Sequence, residues 1–79
     1  MSLKVFEMEQ RIIKIKEGED YITLNILLKI TNIISTGGQA KWYLQENEVK
    51  VNGVLENRRG RKLYPGDVIE VEGQTFVIE

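Results

Sequence analysis

The spacing of apolar residues changes along the chain, and each change marks an element. Over residues 4–16, Val5, Phe6, Met8, Ile12, Ile13 and Ile15 stand among charged residues, with near-alternation at Phe6/Met8 and Ile13/Ile15. That pattern predicts one or two strands, with a helix as the alternative. Glu17-Gly18-Glu19-Asp20 interrupts it, as glycine among like charges does. Leu24, Leu27, Leu28, Ile30, Ile33 and Ile34 then recur at helical spacing behind Thr23, whose hydroxyl can accept from a free amide of a first turn. A helix to about Ile33 is expected. Its apolar residues cover so much of the circumference that it must be packed on more than one side.

Thr36-Gly37-Gly38-Gln39 matches a capping box, so a second helix should begin there and run to about Asn47. Ala40, Tyr43, Leu44 and Asn47 share its inner face, while Lys41, Trp42 and Gln45 form a strip on the other side. Trp42 therefore points away from the core. Val49-Lys50-Val51 alternates into Asn52-Gly53, the preferred pair for a type I′ hairpin, and returns through Val54-Leu55-Glu56. Val49 and Val51 should face inward, and Lys50 should face solvent beside the basic segment that follows. Tyr64-Pro65-Gly66-Asp67 reads as a type II turn leading into Val68-Ile69-Glu70-Val71-Glu72. Glu72-Gly73-Gln74-Thr75 closes a last hairpin onto Phe76-Val77-Ile78, with Ile69, Val71, Phe76 and Ile78 on the buried face.

Two glycines in a first helical turn cost about 1 kcal/mol each in helix propensity relative to alanine. Two compensations are open. Bare amides at Gly37 and Gly38 would let a phosphate approach the backbone closely, or the glycines fill a tight corner between two helices where any side chain would collide.

At 79 residues, 42% apolar and 29% charged, the chain is one small domain. No repeat or linker divides it, and its one proline is Pro65. It contains neither cysteine nor histidine, which removes disulfides, thiolate metal sites and the side chain best suited to proton transfer near neutral pH. The carboxylates of Glu46, Glu48, Glu56 and Asp67 show no acid/base spacing, so no enzyme, metal or cofactor is expected. The stretch from Ile22 to Ile34 is broken by Thr23, Asn25, Lys29, Thr31 and Asn32 and is too short to span a bilayer. The first residues carry no basic region followed by an apolar run, so a cytoplasmic protein is expected.

The net charge of −1 hides a gradient. Residues 31–68 hold six basic and four acidic groups, and residues 69–79 hold none and three. Arg58-Arg59-Gly60-Arg61-Lys62 puts four cations into five positions, the sharpest electrostatic feature of the chain.

Taken in order, Ala40 and Leu44, then Val49-Lys50-Val51-Asn52-Gly53, then Pro65-Gly66-Asp67-Val68-Ile69 resemble the RNA-binding domain of ribosomal small-subunit protein S-four, the alpha-L motif. The likeness runs from about Tyr21 to Glu72. The stretches from Thr36 to Trp42, Gln45 to Val49 and Asn57 to Leu63 are similar to the small stand-alone bacterial members of the YaaA/YbcJ type. The resemblance implies an α+β fold in which two short helices pack on a small, mostly antiparallel sheet. Residues 1–20 would be an extra N-terminal strand segment packed on a domain of residues 21–79.

It further implies a non-catalytic module that binds structured ribosomal or transfer RNA, on the ribosome or during its assembly. The implied contact surface is Thr36, Gly37, Gly38, Gln39, Lys41, Gln45, Lys50 and Asn52. Many members carry Ser-Arg where this chain has Thr36-Gly37, so the arginine contact to phosphate would be replaced by backbone amides or by Arg58, Arg59, Arg61 and Lys62. Trp42 would stack on a base or pack against protein, either the N-terminal segment or a second copy, as a monomer or weak homodimer. The alternative is an adaptor whose basic loop docks an acidic protein.

Overall fold

The computed structural model describes residues 9–79. Five strands form the main sheet: β1 (Glu9–Ile13), β3 (Val49–Val51), β4 (Val54–Leu55), β6 (Val68–Val71) and β7 (Gln74–Ile78), in the order β1-β7-β6-β3-β4. A second sheet of two strands pairs β2 (Ile22–Thr23) with β5 (Lys62–Leu63). All pairings are antiparallel except that of β1 with β7, where Ile13 lies beside Ile78. The expected strand around Phe6 and Met8 falls outside the described residues. Residues 9–13 are a full member of the sheet.

The period-2 reading holds in β3 and β6 and at Phe76 and Ile78 of β7, whereas Thr75 is buried as well and both residues of β4 are exposed. Val49, Val51, Ile69, Val71, Phe76 and Ile78 point to one face and are buried there against Leu24, Leu27 and Leu28 of α1 (Leu24–Ile30) and Ala40 and Leu44 of α2 (Ala40–Glu46). Asn52 at φ 53° and Gly53 at φ 83° make the β3–β4 turn. Gly66 takes φ 97° and the Asp67 amide donates to the Tyr64 carbonyl, as a type II turn requires. The Tyr43 hydroxyl donates to Glu72 Oε2 at 2.5 Å, tying α2 to the β6–β7 turn. Partial burial first, and then that carboxylate, push the Tyr43 phenol well above its ordinary range.

Both helices differ from expectation at one end. α1 stops at Ile30, three residues early, because Asn32 enters the left-handed region at φ 64°. The Ile33 amide then donates to the Leu28 carbonyl and the Asn32 amide to Lys29, a Schellman closure with asparagine in the usual glycine position. The Thr31 hydroxyl also donates to the Leu27 carbonyl. Ile34 still reaches the core, which explains why its spacing looked helical. The second helix opens with a tight 3-10 turn over Gly37–Gln39 before α2 begins at Ala40. The Gln39 carboxamide oxygen accepts from the Ser35 and Thr36 amides, the reach-back half of the capping box.

Candidate nucleic-acid interface

The start of α1 organises the basic segment. A helix leaves its first amides without intrahelical acceptors, and here residues 59–61 fill them. The Leu24 amide donates to the Arg61 carbonyl and the Asn25 amide to the Arg59 carbonyl, both at 2.9 Å, while Thr23 Oγ1 accepts from Ile26. β2 and β5 continue this ladder through Thr23/Lys62 and Ile22/Leu63. Leu63 is fully buried beneath it. The segment expected as a loop is therefore fixed at its backbone along the N-terminal edge of α1.

Glu56 fixes its side chains. That carboxylate, with only 8% of its side chain exposed, accepts from Arg58 Nε at 2.8 Å, from the Arg58 backbone amide at 3.0 Å and from Arg61 Nη1 at 2.6 Å. Its hydrogen bonds with Arg58, ahead of all other causes, hold its pKa down at about 2. The Arg58 guanidinium is correspondingly held above its ordinary value by Glu56. Two of the four cations are thus fixed in place and partly neutralised, whereas Arg59 and Lys62 have no acidic partner among the described residues.

The glycine-led turn meets this loop at Asn25. A Cβ placed on Gly37 would lie 3.5 Å from the Asn25 side-chain amide, and one on Gly38 would meet only Thr36 Oγ1, at 3.9 Å. Both are ordinary contacts and neither glycine has a positive φ, so the tight-corner explanation fails. Asn25 Oδ1 is enclosed in the same place, with no hydrogen-bond partner among the described residues. Arg59 and Gly37 therefore meet the same residue, Arg59 through the Asn25 backbone amide and Gly37 beside the Asn25 side chain, so the cationic loop and the glycine turn are neighbours at the start of α1.

Other expected residues divide between this neighbourhood and the rest of the surface. Thr36, Gly37, Gly38, Gln39, Lys41 and Gln45 follow one another along the 3-10 turn and the exposed side of α2. Trp42 is 62% exposed on that helix, with Lys41 Nζ 5.9 Å from its ring centre, and it edges an open groove shared with Ile33, Ile34 and Gln39. Lys50 alternates with Val49 and Val51 and so lies on the far face of the sheet, with Glu70 and Leu55 as cross-strand neighbours. Its strand partners are thus Leu55 and Glu70, and neither belongs to the basic segment. Asn52 has both polar ends engaged by protein, donating to Asp67 Oδ1 at 3.0 Å and accepting from the Val68 amide at 2.9 Å. Asn25 and Glu56 were missed in the sequence, because their roles depend on partners distant in the chain or on which of several nearby cations a carboxylate meets.

The basic loop and the glycine turn offer guanidinium and ammonium donors, glycine backbone and side-chain amides, a set suited to phosphate and ribose oxygens. Among the described residues no cluster of acidic side chains could hold a metal ion, and no helix is long and apolar enough to cross a membrane. The chain is 57% identical over 54 residues to a protein of Bacillus subtilis (strain 168) named "Probable ribosome maturation protein RlbA", an alignment covering 68% of this chain and 76% of that protein. The S4 domain family model matches residues 13–79, all of the fold except most of β1. With that match, and with two helices packed on a mostly antiparallel sheet as the resemblance implied, the chain belongs to the S4 domain family.

Proposed function

We propose that this protein is a non-catalytic RNA-binding module that grips structured ribosomal RNA during ribosome maturation in the cytoplasm. The meeting of the basic loop and the glycine turn at Asn25 supports the reading, because cations and glycine backbone brought close in this way can act on one strand of RNA. The ribosome-maturation name of the B. subtilis relative supports the ribosomal part. Lys41, Arg59 and Lys62 neutralise phosphates, and Arg58 and Arg61 present the donors that Glu56 leaves unused.

About four phosphate contacts predict a log–log salt slope on the order of −3 for binding to purified ribosomal RNA, at about −0.7 per contact to irregular RNA. Arg59→Ala should weaken binding and make the slope shallower by roughly one contact, without moving the melting temperature, because only the Arg59 carbonyl is used in the fold. Binding indifferent to salt, or association with ribosomal particles that survives digestion of their RNA, would overturn the reading. The second outcome would favour docking on a protein.

A further inference from the structure

The β2–β5 ladder sorts its side chains by the period-2 rule. Ile22 and Leu63 face the core, so Thr23 and Lys62 face outward, together with Tyr21 and Tyr64 at the next register position. The tyrosine rings meet across the strands with centroids 5.7 Å apart and planes tilted by 52°. They remain 37% and 46% exposed, and neither hydroxyl is hydrogen-bonded to a described residue. Lys62 Nζ sits 5.0 Å from the Tyr21 ring centre. Tyr64 also forms one wall of an open groove of about 470 Å³ whose other walls are Arg58, Gly60, Arg61 and Lys62.

We infer that Tyr21 and Tyr64 form a stacking platform for one unpaired base of the bound RNA, with the phosphates flanking that base held by Lys62 and Arg58. This rests on the RNA-binding reading above and deepens it by naming the kind of nucleotide the surface takes. Aromatic faces beside cations are how proteins hold unstacked bases, because every base has a π-face and every nucleotide a phosphate. A cross-strand aromatic pair can also serve stability alone, but that role makes no use of the cationic groove against Tyr64. Glu19 and Asp20 flank Tyr21 on its other side and repel phosphate there, so the RNA backbone leaves the platform toward the Arg58–Lys62 loop. From Tyr21 to Asn25 is four residue steps, which even a fully extended chain limits to roughly 13 Å, and here the last of them enter α1. One RNA strand can therefore reach the platform and the glycine turn together.

The test uses the full chain with two probes, hexaadenylate RNA and a ribose-phosphate hexamer without bases. The Tyr21 and Tyr64 ring protons are followed by NMR, and affinities for ribosomal RNA are measured in parallel. Stacking predicts upfield ring shifts with hexaadenylate that the abasic hexamer does not produce. It also predicts about tenfold weaker hexaadenylate binding for Tyr64→Leu, measured well below that variant's melting temperature, with wild-type affinity for Tyr64→Phe, which keeps the ring. Should the leucine variant fail to fold, the ring shifts of the wild-type protein still decide. Equal response to both probes, or ribosomal RNA bound with no ring shift from hexaadenylate, overturns the platform and leaves the RNA-binding reading standing. Failure of the wild-type chain to bind any of these RNAs overturns both.

Discussion

Asn52 was read from the sequence as a turn residue and, through the family resemblance, as an RNA contact; the structure makes it a pin between two turns. Its side chain joins the β3–β4 turn to the turn before β6 through the 3.0 Å bond to Asp67 and the 2.9 Å bond from the Val68 amide. Asn52→Ala removes both, at about 0.5–1.5 kcal/mol each. It also places alanine at φ 53°, a left-handed conformation costing roughly 1 kcal/mol that asparagine tolerates better. The sum is about 2–4 kcal/mol, a fall in melting temperature on the order of 10–30 °C for a domain of this size. Asn52→Gly keeps the backbone conformation and loses only the bonds, so it should cost about 1–3 kcal/mol, roughly 1 less than alanine. Urea and thermal unfolding of both variants, with Asp67→Ala in a double-mutant cycle, separate the contributions. Equal losses for alanine and glycine would refute the backbone argument, and a glycine variant as stable as wild type would refute the side-chain pin. Well below its melting temperature, Asn52→Gly should bind RNA with unchanged affinity, since neither end of the asparagine amide is free.

Other consequences follow from the loop and the glycine turn. The Glu56 pKa is about 2 in the folded state against an ordinary 4.5, so its contribution to stability is complete above about pH 5 and is lost as pH falls toward 2. Melting curves of wild type and Glu56→Gln across that range should converge in acid; parallel curves would show that the Arg58 and Arg61 pairs do not stabilise the fold. Gly38→Ala should leave the domain as stable or raise stability by up to about 1 kcal/mol, because its Cβ would make only an ordinary contact, 3.9 Å to Thr36 Oγ1, in a helical turn. The same change should weaken RNA binding by covering the backbone there. A variant that gains stability and binds RNA undiminished would show that phosphate does not approach the glycines.

What the chain disclosed unaided was local. The alternation of Val49 to Val51 and of Ile69 to Val71, the Asn52-Gly53 and Pro65-Gly66 turns, the Thr23 cap and the outward strip of Lys41, Trp42 and Gln45 are set by residues within a few positions of one another. The early stop of α1 was equally local and was missed only because Asn32 stood where glycine is the usual signal, while Ile33 and Ile34 prolonged the apolar spacing. Tertiary structure decided everything that depends on which distant segments meet. Residues 58–63 read as a free basic loop because their backbone acceptors serve α1, more than thirty residues upstream, and two-residue strands such as β2 and β5 have no periodicity to detect. Lys50 and Arg59 are similar cations in the sequence, yet the pleat of one strand turns Lys50 to the far face of the sheet while a hydrogen bond to Asn25 holds Arg59 beside the glycine turn. Composition set how much charge the chain carries, and the pairing of its backbone set where that charge could be used together.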